Sequence, residues 1–480
     1  VNQAAVNRVA PQDAIMFWLS RRSRNDLFLL YSFADRGRPT AELRAALLTR
    51  ARRIPDLAVR LREVPGDLNY PAWVPCAVLD SQIVEHRGVA DWPGLESAVG
   101  ELLGTGVDAA ERPWRVHLFR GVGGAPGPAP DGETATVVVL QISHALADGR
   151  RAAAIARELF GAGEDAAAGA RWREGHPGAA QADRPGASGG AASSPAAPAP
   201  WAGDVVPAVL GALLLPVHIV RTVFRGYRAF RAQRALAEST AAGAVPPPTP
   251  GFAPNPLNPA AVPTAHAVRM LVFAAAELRV PGRTVTVVVL TAVSVALSEY
   301  LAAQGHPVER LGAQVPMGSA RNGKRLPRNN YRNLSIDLAV DEPELSARAD
   351  RIAAALRAGR ERAGHPLTSA QDLVTAVTPA VFLHRDVRRW PLDLVPDSIA
   401  GHTVVSSVDR GPADLHFGGP VRFTAGFPAI GSVMHLTHGV HGLGETVTVS
   451  IHADPAAVGD PDGYAAHLRA AVTEVVAALR

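Results

Sequence analysis

The stretch VVVLQISHALADGR, residues 137–150, runs from a β-branched segment into a histidine and then an Asp-Gly pair. Val, Ile and Thr favour pleated strands, so TATVVVLQI (134–142) predicts a strand. RRAAAIARELF (150–160) has apolar positions at helical spacing and predicts a helix. His144 is therefore expected in a strand-to-helix connection. Asp148, four residues on, is placed to fix that loop, and Gly149 to permit a sharp turn. A neutral imidazole presented there can take a proton from a hydroxyl or an amine, since its unperturbed pKa is about 6.5. The bare pattern His-x-x-x-Asp-Gly leaves two readings open, a catalytic base and a structural or surface histidine.

Residues 1–160 around this stretch read as an α/β unit, with AELRAALLTRARRIPDLAVRL (41–61) as a helix. Residues 161–204 are rich in Ala, Gly, Pro and Ser with few large apolar groups, the composition of a flexible linker. Residues 205–240 read as an apolar helix running into a basic one. Arg221, Arg225, Arg228, Arg231 and Arg234 recur every three or four residues, beside Phe224, Tyr227 and Phe230. The apolar part, 205–220, is shorter than the roughly 20 residues a bilayer span needs. Two readings stay open: a helix lying on a membrane or lipid-droplet surface, and an interdomain helix with solvated arginines. Residues 241–264 form a Pro-rich connector. Residues 265–480 read as a second α/β unit, with helices at 284–305, 344–363 and 462–480 and strands at 310–317, 333–340, 403–408 and 445–454.

The chain has 480 residues, 47% hydrophobic and 19% charged, enough for two cores. A net charge of +4, with no recognisable binding motif, gives no reason to expect a nucleic-acid partner. Cys76 is the single cysteine, which excludes an intramolecular disulfide and a cysteine-based zinc site. The first twenty residues lack the pattern of a signal peptide, so a cytoplasmic location is expected, peripheral to the membrane or to lipid droplets if the 205–236 helix binds lipid.

Read end to end, the chain resembles the bacterial wax ester synthase/diacylglycerol acyltransferase family, within the group that includes chloramphenicol acetyltransferases and condensation domains. APQDAIMFW (10–18) is similar to the family's N-terminal signature, and RIPDLAVRLREVPGDLNYPAWV (53–74) to its Arg-rich helix and Trp segment. AAERPWRVHLF (109–119) also has a counterpart there, and SHALADG (143–149) takes the place of the His-His-x-x-x-Asp-Gly motif. NPLNP (255–259), GRTVTVVVLTAVSVAL (282–297), VPMGSAR (315–321), VVSSVDRGP (404–412) and SIHADPAAVGDPDGYAAHL (450–468) follow in the family's order.

The resemblance implies an α/β fold of two chloramphenicol-acetyltransferase-like sandwich halves with mixed sheets and an active-site channel between them. It makes His144 the base that deprotonates an acceptor hydroxyl for attack on an acyl thioester. Asp148 becomes a structural support with Arg321 as its candidate ion-pair partner, and Gly149 the turn residue. Ser143, Thr286, Asn258, Ser406 and Ser407 become candidate substrate-binding residues. No cofactor or metal is implied; acyl-CoA, or an acyl-carrier thioester, is the co-substrate and a lipophilic alcohol the acceptor. In two places the sequence departs from the family. Ser143 replaces the first motif histidine, and Thr286-Val287-Val288 replaces an Asn-Asp-Val motif, leaving Thr286 either to hold a thioester oxygen or to be an inert helix residue.

Smaller signals give less. His435, His438 and His441 are three residues apart, but with Glu445 the only acidic residue near, a connection or channel lining is the expectation rather than a metal site. SSVDRGP lacks a nucleophile elbow. RNGKRLPRNNYRN (321–333) is a basic, turn-rich run, read as a solvated loop or a contact for coenzyme A phosphates or a carrier protein. The leading expectation is an O-acyltransferase using acyl-CoA and a lipophilic alcohol. The alternatives are acyl transfer on a carrier-bound or specialised-metabolite substrate, and a non-catalytic lipid-binding homologue.

Overall fold

Two mixed β-sheets organise the chain. The computed structural model describes residues 8–128, 132–161, 202–318 and 327–480, the side chains of 202–204 aside. The predicted linker therefore lies almost wholly outside the described residues.

The first sheet has the strand order β11-β1-β6-β5-β4, built from β1 (Leu27–Ala34), β4 (Ile83–His86), β5 (Trp114–Val122), β6 (Ala135–Ile142) and β11 (Val421–Gly426). All eight residues of β6 are buried, which is why its sequence reads as a continuous apolar run rather than an alternation. Period-2 geometry sends its side chains to two cores. Val138, Leu140 and Ile142 join Leu29, Tyr31 and Phe33 of β1 beneath the helices Pro11–Ser20, Thr40–Ala51 and Gly149–Phe160. Val137 and Val139 join Phe28 and Leu30 in a second core that includes Val268, Met270 and Val272 from the other half of the chain.

The second sheet has the order β7-β13-β12-β10-β8-β9. Its strands are β7 (Ala267–Ala274), β8 (Gly312–Gly318), β9 (Tyr331–Asp337), β10 (Thr403–Asp409), β12 (Leu436–Leu443) and β13 (Thr446–Ala453). The helices Val285–Ala303, Leu345–Gly364 and Pro461–Leu479 supply its core. A two-stranded ribbon, β2 (Val59–Arg62) with β3 (Ala72–Pro75), flanks the first sheet.

The two halves interlock. β11 comes from the second half but pairs antiparallel with β1, from Leu29↔Gly426 to Phe33↔Val421. The second half also sends residues 365–394 onto the helix Pro11–Ser20. There Tyr70 donates to the Thr378 carbonyl at 2.6 Å, His384 stacks on Trp18 at 4.8 Å, and the His384 Nδ1 meets Asp67 at 2.7 Å. A boundary drawn by sequence position does not capture this exchange, because strand pairing is non-local.

Two local readings need correction. The helix expected over 41–61 ends at Ala51, and Pro55 starts a short 3-10 turn before β2. The region expected as a connection around His435–His441 is instead the buried strand β12 and its entry. His435 meets Asp454 at 2.8 Å, and His438 lies between Thr403 (3.0 Å) and the Tyr464 hydroxyl (2.7 Å). His438 and His441, three apart on a strand, face opposite sides of the sheet, so the three do not converge.

Burial pushes the imidazoles of His117, His438 and His452 down to about 4, about 3 and about 3. Those of His402 and His441 also move down. An unfolded histidine takes its proton at a pH of about 6.5. Below that pH the unfolded chain binds more protons than the folded one, so these groups remove stability as pH falls. Burial pushes the carboxyls of Asp26 and Glu96 up to about 6 and about 7, which acts in the opposite sense. The histidines are the more numerous set. Calorimetry is therefore expected to show Tm falling between about pH 7 and about pH 5. A Tm that rises over that interval would contradict the balance.

Candidate active site

The strand β6 delivers the motif. After Ile142 the chain turns at once: the Ser143 N–H donates to the Pro113 carbonyl at 2.8 Å, and the Leu146 N–H to the Ser143 carbonyl at 2.8 Å. The Ser143 side chain is fully buried, and its hydroxyl accepts from the Ala145 N–H at 3.3 Å. This corrects its assignment as a substrate-binding residue, because the hydroxyl braces the turn and has no exposed surface to offer.

Asp148 is the N-cap of the helix Gly149–Phe160. Its Oδ1 accepts from the Arg151 N–H at 2.9 Å, satisfying one of the helix's free donors. Its Oδ2 accepts from the Asn330 N–H at 3.3 Å, and its own N–H donates to the Arg328 carbonyl at 3.2 Å. The supporting role is thus exercised on the segment 328–330; Arg321 lies outside the described residues. Gly149 is not the turn-maker expected. It is the first helical residue, it is absent from the positive-φ glycines, and a Cβ there would make an ordinary 3.9 Å contact with Val408. Asp148→Ala is expected to cost about 1 kcal/mol of stability through the lost cap, and Asp148→Asn a fraction of that. Paired denaturant titrations check the ordering, and equal losses in both variants would refute a capping role.

His144 is half-buried, and its Nδ1 lies 2.6 Å from the Asn329 Oδ1. The neighbours of Asn329 settle which way its amide points. Its NH2 group donates to the Asp13 carboxylate at 3.0 Å and to the His144 carbonyl at 2.5 Å, so the oxygen faces the imidazole. An amide oxygen only accepts, hence Nδ1 carries the proton and Nε2 keeps the free lone pair. Burial pushes the imidazole below its usual range, against the opposing effects of its own carbonyl, Asn329 and Asp148. The ring is neutral at pH 7 and ready to accept a proton at Nε2.

Asp13 anchors this arrangement from the first helix. It is buried and accepts from the N–H groups of Arg328 and Asn329, both at 2.8 Å. Burial raises its carboxyl above the ordinary value, outweighing those hydrogen bonds. Arg328 donates to Asp56 at 2.9 Å and to the Leu146 carbonyl at 3.2 Å, and lies over the Trp73 ring at 4.7 Å. Asp56 is shared with Arg151, at 2.8 and 2.9 Å. Burial pushes the Asp56 carboxyl up, but the guanidiniums of Arg328 and Arg151 outweigh it and hold the group below its usual range. Tyr331, the first residue of β9, places its ring 5.8 Å from that of His144. A segment of the second half thus completes a site whose histidine comes from the first.

Thr286 and Ser407 form a second polar element. The Thr286 hydroxyl donates to the Ser407 Oγ at 2.9 Å, at the N-terminal end of the helix Val285–Ala303. The next residue on β10, Val408, is the one a Cβ on Gly149 would touch, so β10 passes beside the motif while Ser407 and Val408, adjacent on the strand, point to opposite faces of the sheet. Ser406 is half-buried on β10. Asn258 is buried and spends its amide protons on the carbonyls of His402 (3.2 Å) and Val433 (2.6 Å), a tie within the second half.

Sequence reasoning singled out neither Asp13, Asp56 and Arg151 nor Arg328, Asn329 and Tyr331. The last three lie in the run read as a solvated or phosphate-binding loop, but Asn329 is only 6% exposed and points inward. The signal available was the pair Asn329-Asn330, two uncharged polar residues among arginines.

The fold is similar to that of solved structures. The wax ester synthase/diacylglycerol acyltransferase from Marinobacter aquaeolei VT8 superposes on 98% of this chain and 98% of its own, with a TM-score of 0.58 at 18% identity. The starter condensation domain of rhizomide synthetase, in complex with C8-CoA and Leu-SNAC, covers 100% of this chain and 96% of its own, with a TM-score of 0.54 at 13% identity. This chain has their two-lobed fold. The first condensation domain of the calcium-dependent antibiotic synthetase, in complex with a substrate analogue, gives 99% and 97% coverage, a TM-score of 0.54 and 16% identity. No family model and no curated protein matches the chain. The expected mixed-sheet α/β architecture is thus found, with β11 and residues 327–331 exchanged between the halves.

Proposed function

We propose that this protein is an acyltransferase that moves a fatty acyl group from acyl-CoA to the hydroxyl of a lipophilic alcohol, with His144 as general base. The observation that carries the reading is the Asn329 amide, which holds the His144 proton on Nδ1 and leaves Nε2 as the basic nitrogen at the junction of the two halves. In the first step Nε2 takes the hydroxyl proton while the hydroxyl oxygen attacks the thioester carbonyl. The tetrahedral intermediate then collapses, the C–S bond breaks, and the imidazolium returns the proton to the departing thiolate. Ester and free thiol are the products. The Thr286–Ser407 hydroxyl pair is the candidate donor to the carbonyl oxygen.

The acyl-CoA donor is supported by the architectural likeness to a condensation domain in complex with C8-CoA. The acid limb of kcat/KM is expected below the ordinary histidine range, at a pH under about 6.5, because burial lowers the base. Activity should then stay level through neutral pH. The test is thiol release from acyl-CoA donors of several chain lengths with a panel of alcohols, repeated with an acyl-carrier thioester. Turnover with acyl-CoA and a long-chain alcohol supports the reading. Turnover confined to the carrier-bound donor would replace it with carrier-dependent acyl transfer, and no thiol release with any donor would overturn it.

A further inference from the structure

The helix Ala202–Ala241 is 40 residues long, about 60 Å, and its amphipathicity is inverted. The seam facing the protein holds mostly small or polar residues, among them Ala208, Gly211, His218, Thr222 and Ala229, with Leu236 buried and Leu215 half-buried as its large apolar members. The face turned away holds most of the large apolar ones. Leu213 is 70% exposed, Val220 and Val223 are 68% exposed, and Phe224, Tyr227 and Phe230 each exceed half. A helix surrounded by water buries its large apolar side chains against the protein. This one does the reverse, and a contiguous apolar surface of this kind marks an interaction site.

The contacts of the helix exclude a free span. At Gly211 a Cβ would meet the Leu68 carbonyl at 1.9 Å, so the helix backbone is pressed onto that loop. Asn69 donates to the Pro207 carbonyl at 3.3 Å, Thr222 to the Val377 carbonyl at 3.1 Å, and Gln233 meets Gln371 at 2.9 Å. The helix is held to both halves along its length and lies on the surface. Its second part carries Arg221, Arg225, Arg228, Arg231 and Arg234, with Glu238 as the one acidic residue of 221–241. The Arg228 guanidinium sits 5.9 Å over the Phe224 ring, so charge and apolar surface share the outer side.

We infer that the outward face of Ala202–Ala241 is the docking surface for an anionic lipid bilayer, with the helix lying in the plane of the interface. The apolar side chains enter the headgroup boundary while the arginines pair with lipid phosphates. This deepens the reading of a lipophilic acceptor by naming the surface from which that acceptor comes, and its test requires no turnover. Full-length protein is sedimented with vesicles of phosphatidylcholine alone and of phosphatidylcholine with phosphatidylglycerol. Partitioning is expected to be about tenfold stronger on the anionic vesicles and to weaken with salt. Leu213→Ser/Val220→Ser/Val223→Ser should lower binding to both by about tenfold, without lowering Tm, because none of the three lies in the seam. Arg228→Gln/Arg231→Gln should erase only the preference for anionic lipid. Absence of wild-type partitioning on either vesicle would overturn the inference. So would a dimer in light scattering that the triple serine variant dissolves while vesicle binding is unchanged.

Discussion

His144→Ala is expected to lower the rate of acyl transfer by about 10²–10⁴-fold, the usual contribution of a positioned general base. On the proposed mechanism two effects act together in wild type. The proton of the attacking hydroxyl has an acceptor at Nε2, and the departing thiolate has a donor when the ring is protonated. Alanine removes both but leaves the turn intact, since that turn is held by the Ser143 and Leu146 main-chain bonds and by Asp148. The loss should therefore fall on kcat, with the KM for acyl-CoA within about threefold of wild type. His144→Gln, which keeps a polar side chain but no base, should be as inactive. Steady-state thiol release on both variants checks this, and a variant retaining most of the wild-type kcat would remove His144 from the chemistry.

The second large effect concerns Asn329, which on the proposed mechanism is a positioning residue that acts through His144. Asn329→Leu removes the acceptor at Nδ1 and leaves Asp13 without one of its buried donors. The ring is then free to rotate or to carry its proton on Nε2, and a misplacement of about 1 Å costs on the order of 10²-fold. Asn329 also raises the pKa of His144 against the effect of burial, so its loss should move the acid limb of kcat/KM to still lower pH. A purely structural role would lower Tm and yield of folded protein without moving that limb. Asn329→Gln retains the amide chemistry and should recover part of the rate. An unshifted acid limb in Asn329→Leu would contradict the assignment.

How much of this was legible in the sequence follows from the range over which each feature is determined. The β6 strand, the helix Gly149–Phe160 and His144 between them are local. A β-branched run, a change of period and an Asp-Gly pair announce them within fifteen residues, although the aspartate's role as helix cap came only with the structure. The partner of that histidine is not local. Asn329 stands 185 positions away, in a run whose arginines suggested solvent, and only the exchange of a segment between halves brings it to the imidazole. Asp13 and Asp56 stood inside quoted stretches, yet their spacing does not reveal that one receives main-chain N–H groups and the other shares two arginines.

Ser143 and Gly149 show a different limit. Their residue types suit several roles, and burial and backbone angle decide among them. The histidines of 435–441 were misplaced because glycines and histidines interrupt the apolar pattern of β12. Partnered by Asp454 in one case and by Thr403 and Tyr464 in the other, His435 and His438 are accommodated at the entry of a buried strand and within it all the same. The amphipathic character of 205–236 was visible, but its inversion was not. Which face meets the protein depends on the loop at Leu68 and the segment near Val377.

The most direct measurement is product analysis by mass spectrometry, with wild type and His144→Ala supplied in parallel with isotopically labelled acyl-CoA and a long-chain alcohol. The account predicts labelled ester from wild type in a one-to-one ratio with released thiol, and loss of both in the variant. Equal ester formation by the two proteins, or thiol release from wild type with the label recovered only as free fatty acid, would contradict it.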